Sequence, residues 1–321
     1  MTAAPVSAAP PVAGTAVHWI TFGTFVVTLL ILDLVVLHRH RETQSTRRAL
    51  VTVAAWILLG LGVGCAIWWQ FGRGAFLDYV TAYVVEESLS IDNMFVFAVL
   101  FTSFKIPREQ QHRVLFWGIF GAIAMRALFI VAGVALLERF HWLMYVFGLV
   151  LLIAALRVAR PETESREPGI IVRLTRRVLR TTPELHGSRF VIRDPATQIL
   201  FATPLLVCLI AVEVSDIAFA IDSLPAVFGI TTDPFIIFTS NAMAILGMRS
   251  LYLAIAGGLT RVRFLHVGLA SILGFIALKM LAHDLIHVPG LVSLAVIVAI
   301  LVVTTAASML SRRHRGGTHA V

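Results

Sequence analysis

Two apolar runs long enough to cross a bilayer carry six carboxylic acids between them, and few folds accommodate that conflict. Nine runs approach the ~20 residues that a helix needs to span the hydrocarbon core. They cover roughly 17–37, 50–69, 78–101, 114–137, 141–156, 199–221, 235–257, 264–282 and 290–310. Strands of a membrane barrel are about 10 residues long and alternate in polarity; these runs are too long and too uniform for that. Only 14% of the residues are charged, against roughly 25% in a soluble domain. The chain therefore reads as an all-α polytopic membrane protein with about nine transmembrane helices, and a soluble single-core enzyme is excluded.

The net charge of +8 resembles a nucleic-acid signal until the basic residues are located. Loops 38–49, 102–113, 157–198, 258–263 and the tail beyond 310 hold 21 of the 26, whereas the opposite loops hold only Arg73 and Arg139. Basic loops face the cytoplasm, so the N-terminus is expected outside, the C-terminus inside, and no nucleic-acid partner is implied. The organisation is an external tail 1–16, spans one to five over 17–156, a cytoplasmic loop 157–198, spans six to nine over 199–310, and a cytoplasmic tail 311–321. Within the long loop, Arg173, Arg176, Arg177 and Arg180 interleave with apolar residues at helical spacing, which suits anionic inner-leaflet lipid. Phe190–Leu200 reads as a small hairpin turning at Asp194-Pro195. Gly60, Gly62 and Gly64 suit close helix packing.

Acids inside spans are costly and usually face a pathway or a partner. Glu86, Glu87 and Asp92 fall in the third span; Glu213, Asp216 and Asp222 fall at the sixth. The two stretches align without gaps: Glu86 with Asp216, Ile91 with Ile221, and Asp92 with Asp222. Met125-Arg126-Ala127-Leu128 then matches Met248-Arg249-Ser250-Leu251, and Ala155-Leu156-Arg157 matches Ala277-Leu278-Lys279. Three matches in one order make a three-helix repeat over spans 3–5 and 6–8. The two spans run in opposite directions, so the repeat is inverted, as in many secondary transporters. Glu86, Ser90 and Asn93 share one helical face, while Asp92 and Asp222 lie about 120° around from their partners. Pro225 favours local unwinding near the end of span 6.

Carboxylates with amide and hydroxyl oxygens suit hard divalent cations such as Mn²⁺, Mg²⁺ or Ca²⁺. The candidate ligands are Glu86, Asp92, Asn93, Glu213, Asp216 and Asp222, with Arg126 and Arg249 compensating charge when the site is empty. Asp92 and Asp222 are expected to be central, with protons exchanging for the metal. No permanently bound cofactor and no catalytic nucleophile are expected. His283 and His287, at i and i+4, form a candidate metal entry point whose commoner explanation is two solvated interfacial histidines.

Glu86-Glu-Ser-Leu-Ser-Ile-Asp-Asn-Met-Phe-Val-Phe, Thr203-Pro-Leu-Leu-Val and Val212-Glu-Val-Ser-Asp-Ile-Ala-Phe-Ala-Ile-Asp-Ser-Leu-Pro resemble the TerC/Alx family of integral membrane proteins. The resemblance covers about 75–320. It implies a bacterial plasma-membrane protein associated with tellurium resistance or manganese efflux, and it places the six candidate ligands on the family's acidic positions. Two functions follow as expectations. One is a divalent-cation exporter, Mn²⁺ favoured; the alternative is a membrane scaffold for a tellurium or envelope stress complex that acts through the 157–198 loop.

Overall fold

The structure is a computed structural model that describes residues 14–39, 46–159, 182, 185, 187–193, 198, 200–256, 265–286 and 288–316, apart from the side chains of Asp92 and of some residues at helix ends. The arginine cluster 173–180, the turn at Asp194-Pro195 and His287 lie outside the described residues. Among the described residues there are eight helical elements: α1 (Ala16–Arg39), α2 (Thr46–Ser103), α3 (Arg108–Arg139), α4 (Leu143–Ala159), α5 (Pro204–Phe228), α6 (Pro234–Ala256), α7 (Leu265–Leu281) and α8 (Gly290–Gly316). Five apolar stretches of them, Ala49–Ser103, Arg108–Arg139, Pro204–Phe228, Pro234–Ala254 and Gly290–Ser308, are long enough to cross a membrane, and three shorter apolar helices accompany them.

A straight helix of α2's 58 residues would be about 87 Å long at 1.5 Å per residue, far beyond a hydrocarbon core of about 30 Å. It is interrupted at Gly72, where φ 83° and ψ −176° define a backbone region open essentially to glycine. The two halves then pack antiparallel. Trp68 and Phe76 lie 5.5 Å apart by ring centroids, and the Tyr79 hydroxyl donates to the Gly60 carbonyl at 2.9 Å. A Cβ on Gly60 would sit 2.6 Å from the Tyr83 ring, and one on Gly64 would sit 3.1 Å from the Tyr79 ring. The small-residue run is a packing notch, as the sequence suggests, and the stretch between the second and third apolar runs is helical up to the break.

Three local differences from the sequence reading have simple causes. Residues 200–202, read as the start of the sixth span, form β2, which pairs antiparallel with β1 (Val191–Arg193) in the register Val191↔Ala202. The helix begins only at Pro204, which is well placed at a helix start because it has no N–H to leave unpaired. Thr203 joins the two elements, its hydroxyl donating to Arg189 O at 2.7 Å and Phe190 O at 3.0 Å. Finally, α5 stays helical through Pro225 to Phe228, so the unwinding expected there is absent; proline costs a single internal hydrogen bond one turn before the helix ends.

Contacts fix the relative directions. At one end, a Cβ on Gly290 would meet Asp78 Oδ1, and one on Gly229 would meet Ile276 and Met280. At the other end, Arg113 donates to Ser188 O at 2.8 Å and Tyr252 to Gln111 Oε1 at 2.8 Å. The second half of α2 therefore runs opposite to α5. It packs mainly on α6, while α3 packs on α5 and α6, and α4 lies along α7.

Candidate functional site

Where these helices meet, the interior is charged. Glu86 of α2, Arg126 of α3, Asp216 of α5 and Asn241 of α6 are all buried. Arg126 Nη1 donates to Glu86 Oε1 and to Asn241 Oδ1, and Nη2 lies 3.6 Å from Asp216 Oδ1. Asn241 Nδ2 closes the ring by donating to Glu86 Oε2 at 3.4 Å. One guanidinium thus sits between the two acids that the sequence alignment pairs. Nε and Nη2 of Arg126, Oδ1 of Asp216 and the hydroxyls of Ser90 and Ser223 are buried without a hydrogen-bond partner. Buried polar atoms are rarely left so; the carboxylate and hydroxyl oxygens can accept a hydrogen bond, whereas the two guanidinium nitrogens need an acceptor.

The remaining candidates divide by position. Asn93 and Arg249 are buried, and Arg249 lines a cavity with Asp216 and Gly118 that has about 10 Å³ of accessible space. That is room for about one water-sized occupant, so a fully hydrated cation does not fit this state. Glu213 is half-buried, and its carboxylate fills the place a Cβ on Gly121 would take. Glu87, half-buried as well, lies against Gly247, whose added Cβ would be 3.9 Å from either carboxylate oxygen. Each of these acids lies against a glycine on a helix of the other half, and only Glu213 fills the space that a side chain there would need. Asp222 does not join the cluster: it is exposed and shares an open cleft with Arg157 and Val150. Its offset around the helix from Asp216 explains this. The side chain of Asp92 lies outside the described residues.

Two participants are absent from the sequence-based set. Asn241 is one; its sequence signals are an amide within an apolar helix and its place in the Asn241…Gly-Met-Arg249 stretch, which also fits the family resemblance. The other is His141, which gathers with His283 and Asp284, their ligand atoms all within 4.8 Å of one another. The Tyr145 hydroxyl donates to Asp284 Oδ2, and His283 Nδ1 lies 3.2 Å from Oδ1. The Tyr145 hydrogen bond, then that from His283, holds the Asp284 carboxyl below its ordinary range.

Apolar helices packed around a buried charged centre define an integral membrane protein with a polar core. Within that class, the sequence profile of the integral membrane protein TerC family matches residues 71–316, and the chain belongs to that family. It is 45% identical over 306 residues, covering 95% of both chains, to an uncharacterized membrane protein, STKORF319, of Myxococcus xanthus. It is 40% identical over 304 residues, 91% of this chain and 94% of the other, to an Escherichia coli (strain K12) protein whose name describes a candidate membrane-bound redox modulator, Alx. The Salmonella typhi protein of the same name is 41% identical over 304 residues, 91% of this chain and 93% of the other. No solved structure matches.

Proposed function

We propose that this chain exports a divalent metal cation, Mn²⁺ before others, across the bacterial plasma membrane, through a carboxylate site at the interface of two inverted three-helix repeats. The observation that carries the reading is the buried Glu86–Arg126–Asp216 cluster, built from helices of both halves. Arg126 acts as a tethered cation that holds the acids together while the site is empty. Glu86, Glu87, Glu213 and Asp216 bring four formal negative charges to this layer, and Arg126 with Arg249 two positive ones. The excess of acids over arginines favours a cation, and oxygen donors of this kind suit Mn²⁺ or Mg²⁺ rather than soft metals.

The opposite directions of α2's second half and α5 support the inverted repeat, as does the pairing of α4 with α7. The hairpin at Gly72 supports nine crossings, and the basic loops favour an N-terminus outside with the 157–198 loop in the cytoplasm. For transport, Arg126 withdraws from between Glu86 and Asp216, the metal takes its place, and protons return to the carboxylates after release. Asp222 then lines the approach. The cavity beside Asp216 is too small for a hydrated ion, so entry requires the halves to move.

The test is cellular manganese content in a strain lacking the gene, complemented with wild type, E86Q, D216N or a version without 160–181 at equal membrane abundance. Export predicts that wild type and the loop deletion lower Mn²⁺ and that the two acid variants do not. A scaffold acting through the loop predicts the reverse dependence. The redox wording of the relatives' name is checked in the same strain. Cys65 and Cys208 are both free thiols, and C65S/C208S should still export.

A further inference from the structure

We infer that His141, His283 and Asp284 form a second metal site, separate from the carboxylate cluster, that takes a borderline transition metal such as Zn²⁺ or Co²⁺. His141 lies in the turn between α3 and α4, and the other two lie in the turn after α7. An ion held there joins the ends of α4 and α7, helices that pack along each other.

The geometry needs little adjustment. The three ligand atoms lie within 4.8 Å of one another, whereas ligands at about 2.1 Å from a tetrahedral ion are about 3.4 Å apart. All three side chains are exposed, so rotation closes the gap without disturbing the core. The imidazole rings, 6.1 Å apart by centroid and inclined by 74°, already converge rather than stack. Tyr145 donates to Asp284 Oδ2, which leaves Oδ1 directed to the histidine side. A ligand held in place by a second hydrogen bond is the usual arrangement around protein-bound metals. Two nitrogens and one carboxylate oxygen favour Zn²⁺ or Co²⁺ over Mg²⁺ or Ca²⁺. The all-oxygen cluster in the interior has the opposite preference.

The experiment uses the full chain, purified in detergent without a polyhistidine tag and titrated with Co²⁺, whose visible absorption reports nitrogen ligation. Wild type and E86Q should both develop that absorption at one equivalent, whereas H141A and H283A should not. Excess Zn²⁺ should bleach the signal, and should raise the unfolding temperature of wild type but not of H141A. Because E86Q carries the interior defect alone, this result does not depend on transport. Absence of the nitrogen-ligated spectrum in wild type, or its persistence in H141A and H283A, overturns the assignment.

Discussion

Replacing Arg126 with methionine removes the guanidinium but keeps an unbranched apolar stem in its place. Glu86 loses its ion-pair partner and Asp216 loses a charge 3.6 Å away, so two acidic side chains are left buried side by side. Removing one member of a buried pair costs about 3–5 kcal/mol, and R126M should lie in that range. E86Q should be milder, about 1.5–3 kcal/mol for a hydrogen bond to a charged group, because Arg126 keeps Asp216 and Asn241. R126M leaves open the space a divalent ion would fill. Mn²⁺ at a hundred times its dissociation constant should return about 2.7 kcal/mol, more than half the loss. The assay is unfolding of the purified protein followed by tryptophan fluorescence, with and without Mn²⁺. If R126M is as stable as wild type, or if Mn²⁺ stabilises R126M no more than E86Q/D216N, Arg126 is not a stand-in for the cation.

Three further outcomes follow from packing and topology. G72A should destabilise the α2 hairpin by about 1–3 kcal/mol, the usual cost of a side chain in that backbone region, although nothing lies within 4 Å of the added Cβ; unfolding in a denaturing detergent reads it. G133A drives a methyl group into the Phe228 ring, which stacks on Phe147 at 5.7 Å, and should cost about 1–3 kcal/mol by overpacking in the same assay. In a C65S background, S188C should react with a membrane-impermeant thiol reagent in inside-out vesicles and not in intact cells.

Much of the architecture could be read from residue order because the membrane restricts the choices. Long apolar runs must be helices, and the Gly60–Gly64 run marks a close contact that Tyr79 and Tyr83 fill. The hairpin read over Phe190–Leu200 is present, but its second strand runs on to Ala202; Leu-Phe-Ala has the same apolarity as a helix start, so the sequence alone sets the start of the next helix too early. At the site, the alignment of Glu86 with Asp216 pointed to two acids that share one arginine. The pattern could not show that Arg126 lies between them, because that depends on the packing of α3 between α5 and α6. Asn241 does not stand out as a partner of Glu86 because a single amide in an apolar helix has no period. Asp222 lies off the cluster, in the cleft beside Arg157, and sequence symmetry alone does not tell a core-facing residue from one so turned. His141 and His283 are far apart in the chain, and only the pairing of α4 with α7 brings them together.

The central claim is that the buried acids carry a divalent cation across the membrane. Reconstitution of the purified protein into liposomes containing a manganese-quenched dye measures this without other cellular components. Wild type should quench the dye when Mn²⁺ is added outside, and E86Q and D216N, reconstituted at equal density with wild-type-like fluorescence spectra, should lose most of that flux. Equal Mn²⁺ flux in all three, or none in wild type with either a pH gradient or its reverse imposed, would contradict the account.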